Sequence, residues 1–393
     1  MGPGEEAMMT MQAYDTLLAC DTIIGYQVYL KLLGEAFAEK EQLSTPMKQE
    51  RERCRALAQR IAEEAAAASA ALLGEQSLLL TKALRRAGAR VTEETISPWR
   101  FDTARNISLS LVPEDADICV CCDLDEVFHH SWREKLEKAW SAHVTRARYR
   151  YTWNFLPDGR EGTVFYADKI HARKGYKWVN PVHEVLVCED EEKIITVPGI
   201  QLDHRADENK SRAQYLELLE LAVRENPEND RNMHYLGREY MFRGEYGKAI
   251  KTLKKHLLLK SALWRDERCA SMRYIARCCE NTGDITEAYK YHLLSIAEAP
   301  YLRESWIDAA CFEYRREHWA GVVYFTEYAL NIKKRTDTYI TEPQAWGDMP
   351  YDILSIAWYK LGDVQRAREY VKKAIELSDE QRLKDNLALF MKE

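Results

Sequence analysis

The pattern of apolar and polar positions changes character twice along the chain. Residues 8–40 carry apolar positions at Leu17, Leu18, Ile23, Ile24, Tyr26 and Val28; Pro46 then interrupts. Residues 49–73 are first charged and then alanine-rich, a run dominated by good helix formers. Arg51, Arg53, Arg55 and Arg60 with Glu50, Glu52, Glu63 and Glu64 make a solvated, mixed-charge face. This pattern predicts a helical N-terminal segment over 1–76, a hairpin or a partner-binding helix. Between 77 and 207 the elements become short. A helix is expected over 78–86, a strand over 89–91, and a buried strand at the unbroken apolar run Ile118-Cys-Val-Cys-Cys122. A further helix is expected over 131–139, with Ser131 as its cap. Residues 208–393 read as amphipathic helical hairpins.

Three glycines organise that last stretch. Gly244, Gly283 and Gly362 stand in the phrases Met-Phe-Arg-Gly-Glu-Tyr, Glu-Asn-Thr-Gly-Asp-Ile and Tyr-Lys-Leu-Gly-Asp-Val. Five positions after each comes a small residue: Ala249, Ala288 and Ala367. A turn between helices needs a residue tolerant of a left-handed backbone, and a close helix crossing needs a small side chain. The unit resembles the 34-residue tetratricopeptide repeat. Counting 34 from Gly283 reaches Glu317, which marks a third unit with a weaker turn. Four repeats follow, roughly 230–263, 269–302, 303–336 and 348–381, with extra residues around 261–266 and 335–343. Pro227 and Pro300 fit the proline that closes a repeat, and 211–225 fits a packed preceding helix. Such arrays stack into a curved solenoid with a concave binding face, the surface of a protein-binding module.

The middle stretch holds the candidate chemistry. The apolar strand ends in Asp123-Leu-Asp125-Glu126. Residues two apart on an extended chain face one side, so Asp123 and Asp125 can present two carboxylates together. Oxygen ligands of that kind suit Mg²⁺ or Mn²⁺ held with a diphosphate. Cys119 and Cys122 have Cys-x-x-Cys spacing, but in a strand they alternate faces, which favours packing over zinc or redox work.

A wider set of phrases surrounds the carboxylates: Trp99-Arg-Phe-Asp102-Thr-Ala-Arg105-Asn106, then Tyr151-Thr-Trp153-Asn154, Lys169-Ile-His171, Trp178, Pro181-Val-His183-Glu184 and Leu202-Asp-His204. Together with Asp123-Leu-Asp125 they resemble inverting family 2 glycosyltransferases of the GT-A fold, some of which carry C-terminal tetratricopeptide repeats. The resemblance implies a fold of α/β plus all-α type. It divides the chain into a helical segment (1–76), a partial, Rossmann-like GT-A domain (77–207) and a repeat solenoid (208–393). It further implies metal-dependent sugar transfer from a nucleotide-sugar donor to a glycan, peptide or protein acceptor. In that picture Asp123, Asp125 and His204 hold a divalent ion, Arg105, Asn106 and Asp123 bind the cofactor, and Glu184 is the catalytic base. Tyr151, Trp153 and Trp178 offer flat faces to a sugar.

Each candidate also has a plain structural reading. Arg105 can bridge a carboxylate within the fold, Glu184 can be a surface acid, His204 a buried structural histidine, and Trp153 and Trp178 core. The two strands that normally open such a domain and build its nucleotide pocket have no counterpart in the sequence. The transferase is therefore expected either to be inactive or to be completed by other material. The alternative expectation is a non-catalytic adaptor that holds a protein on its repeats.

Composition narrows the partners. The chain has 393 residues and a formal net charge of −7, which disfavours a nucleic-acid surface. No run reaches the ~18 apolar residues of a membrane span, and no basic region opens the chain as in a signal peptide. Ten irregularly spaced cysteines read as free thiols of a reducing, cytoplasmic compartment.

Overall fold

The computed structural model describes residues 22–26, 41–45, 85, 91–123, 125–156, 158–205 and 213–392. They fall into two compact units, one from the first 95 residues and the other from residue 96 onward. In the first unit, β1 (Thr22–Tyr26) and β2 (Glu41–Thr45) pair in parallel, with Thr22 opposite Glu41 and Tyr26 opposite Thr45. This corrects the expectation of a helix there. Thr22, Ile23, Ile24 and Tyr26 are β-branched or aromatic and fit a pleated strand better than a helix. The helix expected over 49–73 lies outside the described residues. So does nearly all of that over 78–86, of which Arg85 is described and helical.

The second unit begins with a small α/β layer. Helix α1 (Phe101–Ser110) precedes β3 (Ile118–Val120), β4 (Glu126–Phe128), α2 (Trp132–Ala139), β5 (Arg146–Thr152), β6 (Val164–Ala172), β7 (Tyr176–Val179), β8 (Val185–Cys188) and β9 (Ile194–His204). Five strands form one sheet in the order β3-β6-β5-β9-β4, and β7 and β8 pair separately. Within the five-stranded sheet only β5 and β9 run parallel. Leu136 of α2 packs with Ala147, Tyr149, Tyr151, Ile170, Val197, Ile200 and Leu202 to make the core of this layer. Ser131 precedes α2 with φ of 62° and makes no side-chain cap hydrogen bond, so the expected cap is not formed. Val91 lies in no strand.

The rest of the unit is a stack of helix pairs: α4 (Asp230–Phe242) with α5 (Tyr246–Leu258), α6 (Arg265–Asn281) with α7 (Ile285–Glu298), α8 (Arg303–Arg315) with α9 (Trp319–Asn331), and α10 (Met349–Lys360) with α11 (Val364–Leu377). Helix α3 (Ala213–Glu225) precedes them and α12 (Gln381–Phe390) follows. The four pairs match the four repeats read from the sequence.

Their grammar is local. Gly244, Gly283 and Gly362 have φ of 75°, 80° and 84°. After each glycine the next amide bonds back to the carbonyl five residues earlier: Glu245 to Tyr240, Asp284 to Cys279, Asp363 to Trp358, each at 2.9 Å. Asp284 and Asp363 then cap the following helix by accepting from the amides of Glu287 and Arg366. Seven residues before each turn residue sits Gly237, Ala276, Ala310 or Ser355, and five after it sits Ala249, Ala288, Val322 or Ala367. All are buried. A Cβ on Gly237 would lie 2.5 Å from Leu253 Cγ, so this crossing leaves no space for a methyl group.

Glu317 makes the third turn with φ of 58°, and His318 N reaches Glu313 O at 3.0 Å as in the other repeats. A left-handed backbone costs a side-chain-bearing residue roughly 1–2 kcal/mol, part of which glycine gives back through its freedom in the unfolded chain. Glu317→Gly is therefore expected to stabilise the protein by up to about 1 kcal/mol, seen as a higher urea midpoint. An unchanged or lower midpoint would contradict this reading of the third turn.

Candidate functional site

The sequence candidates converge at one end of the sheet. Arg105 projects from α1, Asp123 follows β3, Glu126 opens β4, Lys169 lies on β6, Glu184 precedes β8 and His204 ends β9. Arg105 Nη2 is 2.7 Å from Asp123 Oδ1, and its Nε is 3.0 Å from Glu184. Its guanidinium also lies 5.3 Å from the centre of the Trp178 ring. Lys169 Nζ bridges Asp123 at 3.1 Å and Glu126 at 2.8 Å. Glu126 is buried, and it also accepts from the Tyr151 hydroxyl and the Asp123 amide, both at 2.8 Å.

The charges of this cluster answer one another. Burial works against the Asp123 carboxylate, but Lys169 and Arg105 outweigh it and hold its pKa below the usual range. Burial likewise opposes the Lys169 ammonium, and Asp123 and Glu126 outweigh it, so its pKa is raised. Cys122, next along the chain, is pushed up to about 12 by burial and by Glu126 and Asp123, which keeps it a thiol. The described cysteines are free of disulfides.

The other candidates are placed as follows. Asn106 is turned to the backbone of Trp178, donating to its carbonyl at 2.8 Å and accepting from its amide at 2.9 Å. Tyr151 and Trp178 are buried in the core, whereas Trp153 is exposed. Asp125 lies 3.4 Å from His204 Nε2. His204 Nδ1 is 3.0 Å from the Trp153 carbonyl, and the two rings stack at 4.5 Å. Glu126 and Lys169 were missed as partners in the network. Their signal in the sequence is a charged residue set directly against apolar strand positions, Glu126 before Val127 and Phe128 and Lys169 before Ile170. An open cleft of about 760 Å³, lined by His129, Lys135, Arg150, Gln201 and Asp203 among others, holds none of the sequence candidates.

With an oxygen acceptor at each ring nitrogen, His204 is built to carry two protons. Burial disfavours that charge, but the Asp125 carboxylate and the Trp153 carbonyl prevail and raise its pKa. A raised histidine pKa contributes stability that is complete below about 6.5 and is lost as the pH rises through the folded value. The difference in urea midpoint between the natural protein and His204→Gln is therefore expected to be largest near about pH 6 and to shrink toward about pH 8. A difference that grows with pH would contradict the pairing.

The solenoid presents a second polar centre. The first helices of successive pairs (α4, α6, α8 and α10) contact one another along one side, the inner side of the stack. The extra residues between repeats three and four run over it. Tyr339 donates to Glu267 on α6 and stacks on Tyr235 of α4 at 5.8 Å. Ile340 is buried with Leu253, Tyr274 and Ile275. Glu342 lies 2.8 Å from the Arg273 guanidinium and accepts from Arg277 at 2.7 Å, both from α6. Trp346 donates to Glu304 of α8 at 2.8 Å. The sheet layer closes over the same segment and side: Arg335 donates to the Gly162 carbonyl at 2.6 Å, and His183 stacks on Tyr235 at 3.9 Å. The inner side is thus filled by the chain itself.

These features define the class: a tetratricopeptide-type helical solenoid joined to a small, mostly antiparallel sheet. No family model matches the chain. Among similar solved structures, MamA has a TM-score of 0.34 at 16% identity, covering 42% of this chain and 81% of its own. Yeast Tom70 has a TM-score of 0.36 at 14% identity, over 47% and 36% of the two chains. YrrB, described as a TPR protein with an unusual peptide-binding site, has 0.33 at 10% identity, over 43% and 79%. These scores are too low to carry function across. A curated relative, a probable cobalt-factor III C(17)-methyltransferase of Salmonella typhimurium, is 41% identical over 56 residues, 14% of this chain. The chain spans only 23% of that relative's length.

The family 2 glycosyltransferase expectation is corrected. The solved structures named above are tetratricopeptide proteins, and none of them is a glycosyltransferase. In this structure the expected ligand and the expected base are both paired within the chain. The Asp123 carboxylate that was to hold a metal with a diphosphate is already neutralised by Arg105 and Lys169. Glu184, expected as the base, is engaged by the same arginine. Among the described residues no helix is long and apolar enough to cross a membrane.

Proposed function

We propose that this protein is a non-catalytic interaction adaptor whose repeats hold a partner protein on the side formed by their second helices. The observation that carries this is the distribution of exposed large apolar side chains. On α6, α8 and α10, the first helices of repeats two to four, no such side chain is strongly exposed. On the second helices α7 and α9, Tyr289, Leu293, Leu294, Tyr324 and Tyr328 are each at least 40% exposed. Tyr289 and Leu293, like Tyr324 and Tyr328, are four apart and so lie one above the other on a helix face. Tyr328 stacks flat on Trp306 at 4.8 Å, and Tyr324 lies 5.0 Å from Tyr328. The result is a fixed aromatic ladder in place of scattered single residues.

Grouped exposed aromatics of this kind are enriched at interfaces, where their rigid rings lose little entropy on binding. The inner side, which an open solenoid would offer, is taken by the segment carrying Tyr339 and Glu342 and by the sheet layer. A partner with an apolar segment is thereby directed to the aromatic ladder. Affinity capture with the full chain and with Tyr324→Ala/Tyr328→Ala tests this. A partner retained by the natural chain and lost, by at least about tenfold, from the double variant is expected, since each interfacial aromatic is worth roughly 1–2 kcal/mol or more. Equal recovery by both chains, with both folded alike by circular dichroism, would overturn it.

A further inference from the structure

Where repeats one and two meet, three helices bring together an unusual donor set. Asp230 opens α4, His256 lies near the end of α5 and Glu267 lies in the first turn of α6. One ligand atom from each lies within 4.8 Å of the other two. His256 and Glu267 are buried, and Asp230 is half-buried. Glu267 lies 3.3 Å from His256 Nε2, outside hydrogen-bond geometry, and that nitrogen has no hydrogen-bond partner.

Proton counting sharpens the oddity. The Ser271 hydroxyl lies between two imidazoles, 2.8 Å from His234 Nδ1 and 2.9 Å from His256 Nδ1. It owns one hydrogen and can donate to only one ring, so the other ring must donate from its own Nδ1. If His256 is the donor, a neutral His256 turns a bare Nε2 lone pair toward the Glu267 carboxylate. Two electron-rich atoms then face each other in a buried site. A cation between them removes the conflict. If Ser271 instead donates to His256, the buried Nε2 of His234 is the bare one, and it too has no partner. Of the two nitrogens, His256 Nε2 is the one that faces carboxylates able to share a cation with it.

We propose that Asp230, His256 and Glu267 form a binding site for a zinc-class divalent ion. One imidazole nitrogen and two carboxylate oxygens suit a borderline ion such as Zn²⁺ better than the all-oxygen preference of Mg²⁺ or Ca²⁺. The 3.3 Å between the nitrogen and the Glu267 oxygen is close to the edge of a tetrahedron drawn around an ion about 2.0–2.2 Å from each ligand. The outer partners are in place. Ser271 fixes the far nitrogen of His256, and the Tyr339 hydroxyl donates to the other oxygen of Glu267, the two contacts that orient ligands in metal sites. Three protein ligands leave a fourth position for water. The ion would tie α4, α5 and α6 together, with Tyr339 above them. This site stands apart from the adaptor reading and does not depend on it.

Cobalt titration of the full chain tests the proposal, because Co²⁺ takes zinc positions and reports its geometry and ligand types. Expected is one tight Co²⁺ per chain, competed by Zn²⁺, with the d–d absorption of a four-coordinate nitrogen/oxygen site and no thiolate charge-transfer band. Asp230→Asn, at a half-buried position, should fold as the natural chain does and bind at least about tenfold more weakly. Glu267→Gln serves as the second variant and should weaken binding likewise. Absence of the d–d band, a thiolate band showing that cysteines take the ion, or binding unchanged in both variants would overturn the assignment.

Discussion

Arg273→Met is expected to lower the stability of the protein by about 3 kcal/mol, the lower end of the cost of breaking a buried ion pair. Arg273 has no exposed side-chain surface, and it meets Asp308 at 2.9 Å and Glu342 at 2.8 Å. The buried Asp308 and the half-buried Glu342 would stay behind, each short of one counter-charge. Arg277 remains beside them, 2.7 Å from each, which keeps the loss from running higher. Arg277→Met should cost less, because that side chain is already 28% exposed. The pH dependence should change as well. Burial would raise the Asp308 pKa, but Arg273 and Arg277 hold it well below the usual range. Such a depressed carboxylate contributes stability above about pH 4 that is lost as the pH falls. With one arginine gone, part of that loss should move to higher pH. A urea-melt difference below about 1 kcal/mol would show that the segment carrying Glu342 is not held as described.

The second large effect is expected at Lys169. Lys169→Met removes the ammonium that joins Asp123 to Glu126, and the Glu126 side chain is only 1% exposed. The Tyr151 hydroxyl and the Asp123 amide still donate to Glu126, but neither carries a charge. A cost of about 3 kcal/mol or more follows from an unpaired buried carboxylate. Glu126→Gln in the same chain should recover a large part of it, because the amide needs no counter-charge. The coupling is read as a double-mutant cycle. Additive losses from the two substitutions would mean that the ammonium and the carboxylate do not depend on each other.

The two halves of the second unit were legible in the sequence to very different degrees. The repeats could be read because their signals are local. Gly283 sets a left-handed turn, Asp284 caps the next helix and Ala288 permits the crossing, all within a few residues. The weak third turn at Glu317 was found by counting alone, and its φ of 58° has the same hand as the glycines. The sheet layer was harder. Arg105, Asp123 and Glu184 do come together, but the resemblance treated the carboxylates as open ligands. Whether they are open depends on Arg105 and Lys169, which arrive from other elements, and sequence spacing does not count such charges. Lys169 lies on β6 beside β3, a pairing that its distance along the chain conceals. The path of the segment around Glu342 was similarly hidden. The sequence marks 335–343 only as extra residues, and nothing local says that they lie against Arg273, Tyr235 and Glu304. At the N-terminus, Thr22, Ile23 and Ile24 are β-branched and suit a strand, a local signal that the expectation of one helical segment over 1–76 did not take up.

Placing the partner on the second helices has a direct check. A photoreactive aromatic residue is introduced in place of Tyr328, and in a separate chain in place of Lys384 on α12 as a control. Both chains are irradiated in cell extract and the adducts identified by mass. A single defined protein adduct at 328, absent at 384 and suppressed by Tyr324→Ala, is the expected result. No adduct at 328, or the same adducts at both positions, would contradict the proposal that the aromatic ladder of the second helices is where this protein holds its partner.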